Sequence, residues 1–292
     1  MVGKRQIVWG ILIPLFCFLY SPSKAQSLAV LADSLRVFRK QSVETENLDE
    51  ALYWNEKVGT TLLRIFHYEA SFEWDFSKVP SFGVIDSPDK YFRLFNWNLQ
   101  KPNGDFLFFS QILVNPSKKA AKRVYTLNHK DSIYLDPERV SMDQDQWMGA
   151  LYYEIIPQKV KNGKVYTLLG WMGTDGLTSS KVIETLSFRG QKLRFGVPAI
   201  KVNRRSKKRL IFTYKKGVKM GLKWDQEEEH IVYDVLGPKE ERFAEYREFY
   251  APTFTFNSLV WEKGNWILNK DVDYQGPENK KIEKFKKKVD PK

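Results

Sequence analysis

One cysteine and three histidines in 292 residues leave little of the side-chain chemistry on which metal, thiol and imidazole catalysis depend. His67, His129 and His230 form no pair at the helical i, i+4 spacing of a zinc protease, and Glu227-x-x-His230 falls where a hairpin is expected. Each histidine therefore reads as structural. Neither Gly-x-Gly-x-x-Gly nor Gly-x-x-x-x-Gly-Lys-Ser/Thr occurs, which removes the usual phosphate cradles, and no Gly-x-Ser-x-Gly elbow supports a serine triad. The lone cysteine, Cys17, lies in an N-terminal apolar run, so thiolate nucleophiles, redox pairs and disulfides are not expected of the mature chain. No metal and no cofactor is expected.

Long hydrophobic runs are also missing beyond that first segment. Lys4 and Arg5 precede 14 residues from Ile7 to Tyr20, and Ser23-Lys24-Ala25 follow, the pattern of a cleaved secretory signal over 1–25. The run is short for a membrane span and is interrupted by Pro14; Phe16 before Cys17 argues against lipid attachment. The reading is export to the periplasm or beyond, with no transmembrane segment in the mature chain.

What the chain has in quantity is aromatic residues, 20 Phe, 14 Tyr and 9 Trp, with 42% hydrophobic residues overall, enough for a large core. Leu28, Leu31, Leu35 and Phe38, then Leu48, Leu52, Val58, Leu62 and Ile65, recur at helical spacing, and Asn47 with Glu50 forms a capping signature. These predict a helical pair over 26–70. From Ser71 to 276 short aromatic and β-branched runs alternate with turn residues. Four hairpins are expected, with tips at 101–104, 161–163, 226–229 and 263–264. The predicted fold is mainly β, an antiparallel meander of hairpins with an irregular propeller-like arrangement, a β-sandwich being the alternative. Residues 277–292 read as a Lys-rich tail.

The net charge of +12 is concentrated. Lys201, Arg204, Arg205, Lys207, Lys208, Arg209, Lys215, Lys216, Lys219 and Lys223 lie in one stretch without an acid. An intracellular chain with such a stretch would suggest nucleic acid; an exported one meets anionic envelope material instead, so no nucleic-acid partner is expected. Six tryptophans, Trp97, Trp147, Trp171, Trp224, Trp261 and Trp266, fall in or beside expected strands. The candidate binding residues are Trp97, Trp171 and Trp224, which end three similar strands, together with Arg204, Arg205, Lys207, Lys208 and Arg209. Asp143-x-Asp145 and Asp271-x-Asp273 are the local carboxylate pairs; with Asp175, the last two residues support an alternative, a carboxylate-dependent hydrolase of envelope polysaccharide.

Ser87-Pro88-Asp89, Phe92-Arg93-Leu94-Phe95-Asn96-Trp97-Asn98, Leu151-Tyr152-Tyr153-x-Ile155-Ile156-Pro157, Tyr166-Thr167-Leu168-Leu169-Gly170-Trp171, Phe249-Tyr250-Ala251-Pro252, Gly264-x-Trp266 and Asp271-Val272-Asp273 together resemble a family of uncharacterised exported proteins from Bacteroidota-type bacteria. Met172 stands where that family commonly has an aspartate after Gly-Trp. The resemblance implies export and a β architecture and transfers no activity. The combined expectation is a non-catalytic envelope or extracellular protein that binds an anionic glycan, another envelope component or an envelope protein.

Overall fold

A computed structural model of the chain describes residues 24–115, 123–130, 136–161, 163–173, 176–203 and 205–274. The expected signal segment up to residue 23, Asn162, Asp175, Arg204 and the Lys-rich tail lie outside the described residues.

Two helices, α1 (Lys24–Glu44) and α2 (Leu48–Ile65), open the described chain. Asn47 caps α2: its Oδ1 accepts the Glu50 N–H at 3.0 Å. The Glu50 carboxylate does not return to Asn47; it accepts from the Thr45 hydroxyl (2.7 Å) and the Trp54 indole (3.3 Å). Residues from Ser71, expected to begin the strands, instead continue as a short 3-10 turn and irregular chain. Phe72, Phe76 and Val79 are spent packing beneath the helices, so pairing begins only at Gly83.

Strands β1 (Gly83–Asp86), β2 (Phe92–Gln100), β3 (Phe106–Val114) and β4 (Arg123–Leu127) form a first antiparallel sheet in chain order. The second contains β5 (Leu151–Val160), β6 (Gly163–Gly173), β7 (Thr178–Arg189) and β8 (Lys192–Phe195). The chain then makes β9 (Ile200–Val202), β10 (Arg205–Lys207) and β11 (Arg209–Lys215), before β12 (Leu222–Asp225), β13 (His230–Pro238), β14 (Tyr250–Glu262) and β15 (Asn265–Val272). All four expected hairpins are present, as β2–β3, β5–β6, β12–β13 and β14–β15. Lys263 and Gly264 both take positive φ (46° and 82°), the geometry of a two-residue turn matched to strand twist.

The basic stretch, with no hairpin expected in it, is largely strand. β9 pairs parallel with β15, β10 pairs with β9, and β11 returns to the second sheet beside β7. Leu210, Phe212 and Tyr214 alternate toward the core there, and burial of that row outweighs the charge around it.

The protein is therefore mainly β, a series of antiparallel hairpins behind a helical pair. The helices pack on one face of the first sheet, the second sheet on its other face, and the third sheet on the far face of the second; the described residues form no closed barrel or propeller. Phe95, Trp97 and Leu113 face the helices, while Phe92, Leu94 and Ile112 face the second sheet. In the second sheet Tyr166 and Leu168 face the first sheet, and Leu169 and Ile183 face the third. The middle sheet is thus buried on both sides.

Polar ties cross each layer. Arg39, 1% exposed, donates to the Ser81 and Asn98 carbonyls, and its burial pushes the guanidinium down to about 10. Asp89, in the Ser87-Pro88-Asp89-Lys90 turn before β2, accepts from Lys164 (2.6 Å) and the Tyr166 hydroxyl (3.0 Å) on β6. The Trp266 indole donates to Thr167 at 2.7 Å between the second and third sheets.

Partial burial raises the Asp89 carboxyl, but the bonds from Lys164, Ser87, Tyr166 and the Tyr91 N–H outweigh it and hold the group below its ordinary value. A depressed carboxyl contributes stability above its unfolded value of about 3.9 and loses it as pH falls through the folded value. Asp89→Asn is expected to lower stability at neutral pH and to leave a shallower acid limb, read from chemical denaturation at a series of pH values; an acid limb identical to wild type would contradict the assignment.

Candidate functional site

The structure distributes the candidate binding residues among different layers. Trp97 is 3% exposed under α2, with its indole donating to Asn55 Oδ1 at 2.6 Å. Trp171 is half-buried between the first two sheets against Phe106 and Phe108, at centroid distances of 5.2 and 6.1 Å. Trp224 is half-buried between the second and third sheets, edge-on to Trp266. The three indoles form no common row, because each fills the gap beside its own sheet. Trp147 and Trp266 are core residues at 1% and 0% exposure.

The basic residues divide as well. Arg209 is fully buried: its Nε donates to Glu184 Oε1 at 2.6 Å, and its Nη1 donates to the Pro137 and Val140 carbonyls. Glu184 Oε2 accepts from the Tyr152 hydroxyl, which in turn accepts from the Trp147 indole at 3.0 Å. Burial, then the Glu184 charge, pushes the Tyr152 phenol well above its ordinary value, so it stays a proton donor. Arg209 is thus a structural cation and does not belong to a binding surface. Lys207 pairs with Glu138 Oε2, while Glu138 Oε1 accepts the Ile211 N–H at 3.0 Å. Lys208 is half-buried, with its ammonium lowered by desolvation and by Arg194 and Arg209 nearby. Arg205 is exposed on β10.

Both local carboxylate pairs lie at irregular backbone, Asp143 and Asp145 at a 3-10 turn and Asp271 at a bulge, while Asp175 lies outside the described residues. Asp271 takes φ of +50° at a register shift between β14 and β15, and its N–H donates to Asn257. That bulge removes the i, i+2 relation that would have put Asp271 and Asp273 on one strand face. Asp143 caps a 3-10 turn by accepting the Asp145 N–H, and Asp145 accepts from Asn128. No group of three or more His, Cys, Asp or Glu suited to a metal occurs among the described residues.

Sequence reasoning missed a cleft where the second and third sheets part. It encloses about 500 Å³ between β11, the inner face of β13 to β15, and the β9–β10 hairpin. Phe212, Tyr233 and Tyr250 supply aromatic wall; Phe212 and Tyr233 lie 4.7 Å apart. Burial pushes the Tyr233 phenol up to about 12, leaving it neutral. Lys207, Arg247 and Lys270 line the cleft, with Arg247 4.3 Å above the Tyr250 ring. Its carboxylates are already engaged: Glu138 as above, and Asp234 by the Gly221 N–H at 2.6 Å. A second hollow of about 420 Å³ shares Glu138, Val202, Asn203 and Lys207 and adds Arg205 and Arg139, so both sides of the basic hairpin are lined. The signal in sequence was the basic stretch itself; that Arg247 and Lys270 converge on it depends on tertiary structure alone.

The chain matches no known family model, no curated protein and no solved structure.

Glu184→Gln is expected to destabilise the fold by about 3–5 kcal/mol, because it leaves the Arg209 guanidinium buried without its counter-charge. Arg205→Ala, by contrast, should fall within about 0.5 kcal/mol of wild type. Urea denaturation midpoints at constant m-value check both.

Proposed function

We propose that the protein is an exported, non-catalytic envelope or extracellular binding protein, and that the cleft between the second and third sheets takes an anionic glycan. The observation that supports this most is the cleft's composition: Lys207, Arg247 and Lys270 together with the rings of Phe212, Tyr233 and Tyr250. Aromatic faces suit the C–H faces of sugar rings, and guanidinium or ammonium groups suit ring carboxylates. Binding is favoured over hydrolysis because both cleft carboxylates accept backbone N–H groups, and Glu138 also neutralises Lys207. A glycosidase needs two carboxyl groups free to transfer protons or attack, about 5–9.5 Å apart. Export rests on the leader-like sequence before Gln26, and kinship with the exported Bacteroidota-type family belongs to the same reading. No described helix is long and apolar enough to cross a membrane.

One observation favours a protein partner instead. Phe254 is 92% exposed on a bulge between Asp234 and Leu236 pairing, at φ of +65°. Thr253 braces this bulge through Val235 O and the Thr255 hydroxyl. A phenyl ring held in water by a strained backbone is a feature that an apolar pocket on a partner would accommodate.

Isothermal titration with an oligouronate at low and physiological ionic strength tests the glycan reading. Wild type should bind more weakly as salt rises, and the Arg247→Ala/Lys270→Ala double variant should lose about tenfold in affinity, about 1.4 kcal/mol. Absence of binding across acidic oligosaccharides, or unchanged affinity in the double variant, would overturn it.

A further inference from the structure

A second opening lies in a different layer, between α2 and strands β3 and β4, and encloses about 500 Å³. Its helical wall carries Leu52 and Leu63, each more than a third exposed (36% and 37%), and its sheet wall carries Leu107 and Phe109. At its base are two amides that are nearly buried, Asn55 (7% exposed) and Gln111 (2%). The orientation of each is fixed by a bond it already makes. Asn55 must present Oδ1 to the Trp97 indole N–H, which leaves its Nδ2 without an acceptor among the described residues. Gln111 must present Nε2 to the Gly59 carbonyl (3.3 Å), which leaves Oε1 buried with no donor. The base of the groove thus holds an unused donor on the helix and an unused acceptor on the sheet.

We infer that this groove binds a neutral secondary amide bearing a small apolar acyl group, with the acetamido group as the recognised unit. A secondary amide carries its N–H and C=O on opposite edges. Its N–H satisfies Gln111 Oε1, its C=O takes the Asn55 amide N–H, and its methyl packs on the apolar walls. An orphaned buried acceptor destabilises the free protein, so a ligand that supplies the missing donor recovers that penalty on binding. Glu56 on the helical wall disfavours an anionic ligand, in contrast to the cationic cleft between the second and third sheets. An acetamido group reaches the groove from either an N-acetylated amino sugar or an acetylated peptide. The inference is independent of the glycan assignment of that cleft.

The test uses the whole mature chain and the Trp97 indole N–H resonance as reporter, since that proton is bonded to Asn55. The probes are N-acetylglucosamine and the methyl ester of N-acetylalanine, with glucose and the methyl ester of lactic acid as neutral controls lacking the acetamido group. A saturable shift with at least one acetylated probe and none with its control is expected, and the stronger probe identifies the source. Gln111→Leu removes the unfilled acceptor, and Leu63→Glu, on the exposed rim, blocks the entrance without disturbing the core; each should weaken binding at least tenfold. Equal response to acetylated and control probes, no response to any acetylated probe (a groove that holds water only), or wild-type affinity in folded Leu63→Glu would overturn the inference.

Discussion

Both faces of the middle sheet pack against a neighbouring layer, and most of the architecture follows from that constraint. Successive residues of β6 and β7 must satisfy two different apolar environments, so Leu168 and Leu169 are both fully buried although they point in opposite directions. A sheet of this kind tolerates polar side chains only where every charge is matched. Glu184 and Arg209 meet that condition as register partners on adjacent strands, with Tyr152 and Trp147 bonded in series to the second Glu184 oxygen. The pair also recruits the carbonyls of Pro137 and Val140, and so anchors a connecting segment that has no strand of its own.

Because the stacked faces are used for cohesion, openings are left between layers. The cleft lies between β11 of the second sheet and the strands of the third, and the groove lies between α2 and strands β3 and β4. The two openings differ in charge. One is lined by Lys207, Arg247 and Lys270, whereas the other combines amides, aliphatic walls and Glu56. A single scaffold therefore carries two openings of different chemical character around one core.

Local structure was legible in the sequence. The four hairpins carry their own turn chemistry, and the Asn47 cap precedes a periodic apolar face, so both could be read from residues close in the chain. What depends on distant neighbours was not. Trp97, Trp171 and Trp224 end similar strands yet face three different layers, because a shared pattern does not reveal which side of a strand meets which sheet. Arg209 and Arg205 are four residues apart in one basic run; Glu184, 25 residues before Arg209, decides which is buried. The bulge at Asp271 likewise depends on how β15 meets β14.

The anchor formed around Arg209 joins residues 69 to 73 positions apart, whereas most strand pairs close through tight turns. Local hairpins form in microseconds, and distant closures are slower because chain entropy must be lost before contacts compensate it. The bonds of Arg209 to Pro137 and Val140 therefore carry a loop-closure cost that the hairpins do not, and only the assembled second sheet offsets it.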